Sequence, residues 1–459
     1  MKLKWIDVKL NKRILFIFII SLCIQISFFI IIQLSNWISQ KPVDEPWFTF
    51  LTQTVEPYSD YKIWYQTFAS QTLYEGWLPY LNILNIYVPE AEWYNFWFVY
   101  HEELFLNFIY PPFFYYILIL PSLISVDFVF LPLLLANFFL PILIYKFLRN
   151  NFNRQVSEWG FIATCFNPLY IFYGGGLALN VSLITIFFVL TLYYISKNRF
   201  GLSIICLSIS ILFKQIMLLL VPPIVAYLAI NSINNKIEVN IFNYLKKILF
   251  YCGIIVIILF FGSMPWILIA PVNYLSTMFS PGVQAPTLLP IFHFPYPYYN
   301  FPIFWYDFLY WFQAPYIVFW IFGFLNFTYI GIVALEFVMI IMIFYWKKRN
   351  ILNWVKFLDI LIYTLFLSYL FFPRGLYKYY FSFYIPMLII WVTFHFGDTL
   401  SSKNSKKFIW ILISIGISIF FMFLPRTLYL LLIWALFFYI LMQNRSLMKR
   451  QKDIKINKI

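Results

Sequence analysis

Carboxylates are concentrated in one connector of this chain, where they could act as bases or bind a polar substrate. Residues 35–105 hold nine of the 18 acidic residues but only two lysines, Lys41 and Lys62. Such clustering is uneven in a chain with only 11% charged residues. Two interpretations remain open. Acids are tolerated on the translocated side of a membrane, or they form a polar-substrate site that includes a catalytic base.

Asp60 stands where such a base could begin a surface helix. Residues 59–68 read Ser-Asp-Tyr-Lys-Ile-Trp-Tyr-Gln-Thr-Phe, and their aromatic residues recur at helical spacing. This pattern predicts a helix with one aromatic face that lies along the membrane surface and is ended by Glu75–Gly76. An Asp at a helix N-terminus is also an ordinary cap, so its position alone leaves both roles open.

Three basic residues could stabilise an anionic group. Lys214 interrupts the long, largely apolar run 201–230, although a cation at the centre of a lone membrane helix costs on the order of 2.5–3.5 kcal/mol. That cost favours a cavity or a partner over snorkelling, and it falls if the run is a broken helix pair with its turn near Lys214. Arg374 and Lys378 lie in a predicted outer turn, against the usual charge bias, which favours anion binding over general headgroup contact.

Further side chains are candidates for contact with an acceptor or a lipid chain. His293 lies in an aromatic, proline-rich segment, 290–299, which could line a sugar site or merely cap the bundle. No second histidine accompanies the His101-Glu102-Glu103 sequence, so we predict no metal site there. His395 is expected to be structural. The candidate contact residues are Tyr61, Glu102, Glu103, Tyr110, His293 and Tyr377.

The order of several motifs resembles that of GT-C fold integral-membrane glycosyltransferases, above all their mannosyltransferase-like branch. In the first loop the resemblance is carried by Asp60-Tyr61, Trp64-Tyr65 and the sequence from Gly76 to Tyr80. Further along the chain it is carried by Tyr110-Pro111-Pro112, Asn167 to Tyr170 before Gly174–Gly176, Phe213-Lys214-Gln215, Asn273 to Gly282, and Tyr377 to Tyr380. The matches cover about residues 14 to 390.

The resemblance implies an inverting hexosyltransferase with a polyprenyl- or dolichyl-phosphate sugar as donor, mannose being the default hexose. Asp60 would accept the proton of a glycan or glycolipid acceptor, and Lys214, Arg374 and Lys378 would bind the donor phosphate. It implies no resident cofactor and leaves a divalent cation open. Two departures stand out: Asn180 replaces an expected Asp, and the motif around Lys378 keeps its cation but lacks an acid.

The composition indicates that the elements that would position these residues lie in a membrane. The chain is 63% hydrophobic over 459 residues, with a mean hydropathy of +0.80, and soluble domains carry roughly a quarter charged residues. The net charge of +14 lies in short tails and connectors between apolar runs, as expected of cytoplasmic connectors. It does not indicate a nucleic-acid partner.

The predicted fold is therefore an all-α polytopic membrane protein with one transmembrane domain, 1–459, of about 11 to 13 helices. Its outer face would carry a large first loop, 35–105, with the surface helix and catalytic residues, and a second loop, 270–315. The first apolar run is expected to be a retained signal anchor. We expect a multi-pass protein of the cell membrane with an extracytoplasmic active site, or of the endoplasmic reticulum with a lumenal site if the source is eukaryotic.

Charge orients most connectors consistently but leaves one conflict. An alternating path places the basic connectors 231–247, 347–349 and 403–407 on the cytoplasmic side. The same path, with a crossing at 106–126, puts the basic connector 146–154 outside. Either a helix pair there is re-entrant, or the charge rule fails locally.

Three other functions compete with glycosyl transfer. A lipid flippase or transporter would show two-fold internal repeats and intramembrane charge pairs, but the sequence shows no repeat and no acid at the depth of Lys214. A polymerase or ligase of lipid-linked polysaccharide would rely on arginines in a late outer loop. A non-catalytic membrane scaffold would tolerate Asn in place of Asp60.

Overall fold

Helices dominate the computed structural model, which describes residues 12–34, 65–76, 78–79, 84–87, 99–100, 103–106, 110–233, 240–279, 327–368 and 380–401, with isolated positions 416, 418 and 435. The first helices are α1 (Lys12–Leu34), α2 (Thr67–Glu75), α3 (Pro112–Ser122), α4 (Phe130–Arg149), α5 (Arg154–Cys165) and α6 (Val181–Ser196). They are followed by α7 (Phe200–Phe213), α8 (Val221–Asn231), α9 (Ile241–Ile269), α10 (Pro271–Phe279), α11 (Phe327–Lys348), α12 (Trp354–Ser368) and α13 (Tyr380–Ser401).

Three helical stretches in the described residues are long and apolar enough to cross a membrane, namely Lys12–Ile31, Val126–Arg149 and Ile241–Ile269. A bent pair, Tyr170–Gly176 with Val181–Ser196, would make a fourth if it counts as one span. The chain is therefore an α-helical membrane protein. Several expected crossings are interrupted instead of continuous, and nearly all of the chain after residue 401 lies outside the described residues.

The run 201–230 is broken at Lys214, as the sequence analysis allowed. Helix α7 ends at Phe213, Lys214 is extended (φ −157°, ψ 127°), and a 3-10 helix, Gln215–Leu220, leads into α8. The break places the lysine at a turn and not at the centre of a continuous helix. Because irregular backbone within a membrane protein must be covered by protein or face a polar cavity, Lys214 marks a specialised position.

A second interruption follows α5 and is held by buried polar side chains. The segment Tyr170–Gly176 is a π-helix, and it meets α6 at a 117° bend. At its centre, Asn137 of α4 donates to Gln25 of α1 and accepts from Ser182 of α6, while the Tyr170 hydroxyl donates to the Asn137 carbonyl. The amide of Asn137 thus joins three helices around the bend.

The structure departs from the all-α prediction by a small antiparallel sheet, whose strands lie between Leu84 and Leu106. Strands β1 (Leu84–Tyr87), β2 (Val99–Tyr100) and β3 (Glu103–Leu106) pair in the order β1-β3-β2. Sequence patterns identified only a surface helix in this loop. Such short strands carry little signal of their own because their stability comes from pairing with neighbours.

Aromatic side chains from several helices pack together at one end of the bundle. The Trp354 ring, at the start of α12, lies 6.5 Å from Phe147 of α4, 6.2 Å from Tyr227 of α8 and 6.0 Å from Phe394 of α13. Nearby, Lys356 Nζ lies 5.9 Å from the centre of the Trp346 ring in α11. We call this end, where residues 146–154 and 347–353 connect helices, the basic end.

The conflict over residues 146–154 comes from the expected crossing at 106–126, which is wrong. Helix α3 has only 11 residues, and the chain on both sides of it returns to the turn before α2. Tyr110, before α3, packs on Tyr65 at 5.8 Å, and Asp127, after α3, accepts a hydrogen bond from Gln66 at 3.0 Å. Only α4 then carries the chain across, which brings residues 146–154 to the same end as 347–353.

Candidate functional site

Two of the predicted site residues, Lys214 and Tyr110, meet at the opposite end of the bundle. The Lys214 ammonium lies 5.0 Å from the centre of the Tyr110 ring, within the range of a cation–π interaction. Both residues are buried, with 7% of Lys214 and 3% of Tyr110 exposed. The structure therefore places a buried cation against an aromatic face at the broken end of α7.

The first loop supplies the rest of this site. Tyr65 is fully buried, and its ring packs edge-on against Tyr110 and against Phe114 of α3, at 5.8 and 4.8 Å. Tyr110 and Phe114 are themselves 4.7 Å apart. We call Tyr65, Tyr110, Phe114 and Lys214 the loop-side cluster. Through Tyr110, it connects the chain just before α2 to the lysine at the helix break.

Local sequence explains how each element reaches the cluster. Pro111 and Pro112 begin α3, because proline has no amide to lose at the start of a helix. Gly76 ends α2 with φ +67° and donates its amide to the Gln71 carbonyl, a left-handed cap that glycine adopts without steric cost. The predicted end of the surface helix at Glu75–Gly76 is confirmed. Tyr65 and Phe68, from its predicted aromatic face, are buried within the protein.

Helix α9 shows that the loop-side cluster and the basic end are far apart. Near its start, Tyr244 stacks on Phe344 of α11 at 5.2 Å and donates to the Ile340 carbonyl at 3.1 Å. Near its end, Trp266 packs on Tyr115 of α3 at 5.6 Å. A helix of 29 residues is about 44 Å long, so the cluster occupies one end of the bundle and the basic connectors the other.

Most other predicted site residues lie outside the described part of the chain: Asp60, Tyr61, Glu102, His293, Arg374, Tyr377 and Lys378. Glu103 is described as the first residue of β3, where it is opposite both Tyr87 and Tyr100 in the sheet. Of the second outer loop, only α10 and the residue before it are described.

Two buried acids lie outside the predicted site, and the sequence patterns did not identify their surroundings. Asp359 of α12 is fully buried and accepts from Lys356 at 3.0 Å, from Trp391 at 2.8 Å and from His395 at 2.7 Å. The expectation that His395 is structural fits this network, in which it connects α13 to α12. No role was predicted for Asp359 from the sequence.

Glu336 was missed entirely. It lies in the middle of α11, is 8% exposed, and neither of its carboxylate oxygens has a hydrogen-bond partner among the described residues. An acid interrupting the apolar run 316–346 was the signal that could have revealed it. In the described part of the chain, no three His, Cys, Asp or Glu residues lie together as a metal centre would require.

Comparison with known proteins does not assign the chain to a family. No protein-family model matches it, and no curated protein matches its sequence.

Proposed function

We propose that the protein is an integral-membrane glycosyltransferase of the GT-C type. It would move a hexose, with mannose as default, from a polyprenyl-phosphate sugar to a glycan or glycolipid acceptor at the extracytoplasmic face. Asp60 would be the base, and Lys214 would stabilise the phosphate. The proposal carries forward the motif resemblance, and the loop-side cluster supports it.

The proposal depends on the packing of Tyr110 between Tyr65 of the first loop and Lys214 at the helix break. Tyr65 follows Asp60 by five residues and is in the same cluster as Lys214. Five residues span at most about 18 Å in any conformation, so a base at Asp60 would be compatible with this cluster. A base and a phosphate-binding cation must act on one substrate, and the proposal assigns both roles to this end of the bundle.

The reaction needs few groups from the protein. The acceptor oxygen attacks the anomeric carbon as the bond from that carbon to the phosphate oxygen breaks, and Asp60 takes the acceptor proton. Both electrons of the broken bond leave with the lipid phosphate, whose growing negative charge a buried lysine stabilises strongly because little water screens it. A single displacement of this kind inverts the anomeric centre. Retention in the product would contradict the mechanism.

A lipid-linked-sugar transporter is the second candidate, and the interrupted helices favour it. Discontinuous helices at Lys214 and at the Tyr170–Gly176 bend are a common way to build substrate sites within membranes. Transport leaves the donor chemically unchanged, whereas transfer consumes it. The two functions therefore predict different products from the same labelled lipid.

The experiment is sugar transfer by the purified full-length protein in lipid vesicles. Radiolabelled dolichyl-phosphate hexoses and a glycolipid extract are supplied, and wild type is compared with Asp60→Asn. We expect labelled product from wild type, and at least a hundredfold less from the variant because removal of a general base typically costs about 10²- to 10⁴-fold.

Glu75→Gln is the matched control, because Glu75 is an exposed carboxylate of the same loop at the far end of α2. Transfer that survives Asp60→Asn would move the base to Glu102 or Glu103. Absence of transfer from every lipid donor would reject the enzyme and leave the transporter or the scaffold.

A further inference from the structure

Glu336 lies deep in the bundle and has no hydrogen-bond partner among the described residues. It lies ten residues before Trp346, the α11 residue that contacts Lys356 at the basic end, and ten residues of helix span about 15 Å. The carboxyl is therefore well inside the bundle, and the proposed transferase chemistry at the loop-side cluster does not use it.

The helix turns Glu336 towards protein and away from lipid. On the exposed side of α11, Val333, Phe337 and Ile341 are 67%, 62% and 50% exposed. On the inner side, Leu335 and Met339 are 8% and 3% exposed, and Glu336 is in the same stripe. Snorkelling to the membrane surface would require an outward-facing side chain, so it does not account for this acid.

Asp359 provides a direct comparison within the same bundle. It is at least as buried as Glu336, but its two oxygens accept hydrogen bonds from a lysine, a tryptophan and a histidine. Glu336 has no such donor among the described residues. An ionised carboxylate without donors is costly inside a protein, whereas a carboxyl that holds a cation, including a proton, is not.

Among the described residues, titratable groups on the neighbouring helices do not supply a counter-charge. Lys246 and Lys247 of α9 are exposed, and the Lys356 ammonium is bonded to Asp359. Helices α8, α9 and α12 contact α11. Their described titratable residues are Tyr227, Tyr244, Lys246, Lys247, Tyr251, Cys252, Lys356, Asp359 and Tyr363.

We infer that Glu336 is a binding site for a monovalent cation, a proton or Na⁺, inside the membrane domain. An unpaired carboxyl that faces the interior of a membrane bundle is the group that proton- and sodium-coupled proteins use, because it changes charge state without leaving its helix. The inference is independent of the transferase proposal, since it requires neither Asp60 nor Lys214.

Dicyclohexylcarbodiimide tests the inference on the full-length protein in vesicles. This apolar reagent adds to protonated carboxyls in apolar surroundings and leaves a stable N-acylurea that peptide mass spectrometry detects. At neutral pH we expect labelling of Glu336 at least tenfold above that of Asp359, the matched control. Labelling should decrease as pH rises and should be absent in Glu336→Gln.

Sodium distinguishes the two ligands. Labelling that is equal in NaCl and in choline chloride identifies the bound cation as a proton, and fivefold or greater protection by NaCl identifies Na⁺. Both results support the site. Labelling of Glu336 as weak as that of Asp359 in both salts would show an ionised, paired carboxylate and would overturn the inference.

Thermal unfolding supplies a second measurement that does not depend on labelling. Gln has the shape and the neutral charge of a protonated Glu, so Glu336→Gln should unfold within 2 °C of wild type. A decrease as large as that caused by Asp359→Asn would mean that the native carboxylate is ionised and paired, and would contradict the site.

Discussion

At the scale of single residues, the role of a lysine in this protein depends on what surrounds it. Lys214 and Lys247 both lie over an aromatic ring, at 5.0 Å from Tyr110 and 5.8 Å from Phe250. Lys214 is buried, whereas Lys247 is exposed. Because water screens the exposed charge, only Lys214 can act strongly on a bound anion.

Replacement of Lys214 by Met should therefore abolish most sugar transfer. Loss of one preorganised charge at a site of developing negative charge typically costs about 10²- to 10³-fold in rate, and we expect a decrease of that size. Lys214→Arg should keep more activity because it retains the cation. Initial rates in the vesicle assay measure both, with Lys247→Met as the control that should stay near wild type.

At the scale of elements, buried polar contacts fix how helices meet. Asp359 joins α12 to α13 through Trp391 and His395, and Asn137 joins α1, α4 and α6 at the bend after the π-helix. Apolar helices in an apolar solvent have little hydrophobic reason to choose one orientation, so specific hydrogen bonds and close packing determine it.

Asp359→Ala should destabilise the protein strongly, because it leaves Lys356 as a buried cation without its acceptor. Breaking a buried ion pair by removing one partner costs about 3–5 kcal/mol. The thermal unfolding midpoint in detergent measures the loss. Asp127→Asn is the control, since Asp127 is exposed and Asn keeps an oxygen to accept from Gln66. Equal midpoints for the two variants would rule out a stabilising role for the Asp359 network.

Gly174→Ala should also destabilise the bundle. A methyl group at Gly174 would overlap Asn137 Oδ1 and would lie 3.2 Å from Ser182 Oγ, and overpacking of this kind costs about 1–3 kcal/mol. Gly253 of α9 has open space around its Cα, so Gly253→Ala should leave stability unchanged or raise it slightly. Comparison of their unfolding midpoints separates the crowding at Gly174 from the general effect of alanine.

At the scale of the whole molecule, the short helix α3 decides which connectors share an end. Because the chain on both sides of α3 returns to residues 65 and 66, the basic residues 146–154 lie with 347–353. The positive-inside bias predicts a cytoplasmic location for both connectors.

Cysteine labelling tests that arrangement. In a variant without the four native cysteines, Asn150→Cys and Ile351→Cys should react with a membrane-impermeant maleimide from the same side. Tyr74→Cys, on an exposed residue of α2, should react only from the other side. Labelling of Asn150→Cys together with Tyr74→Cys would restore a crossing at 106–126 and contradict the arrangement.

Sequence alone determined the membrane environment, the helical class and several local boundaries. Apolar runs fix the helices because backbone groups in lipid must bond within their own segment. A lysine inside such a run made a broken helix pair at Lys214 one of two alternatives, and Gly76 indicated the end of α2. These features depend on residues close together in the chain, so a linear pattern contains them.

Only the tertiary structure decided which distant residues meet. The contacts of Tyr65 and Lys214 with Tyr110 join segments that are far apart in sequence. The same holds for the contacts of Trp391 and His395 with Asp359. The absence of hydrogen-bond partners for Glu336 among the described residues also follows from packing between helices. The 106–126 run was apolar enough to cross, yet α3 does not cross. The residues on both sides of it, Tyr110 and Asp127, contact Tyr65 and Gln66. Hydropathy records how well a segment tolerates lipid, whereas its path and its partners follow from packing between helices.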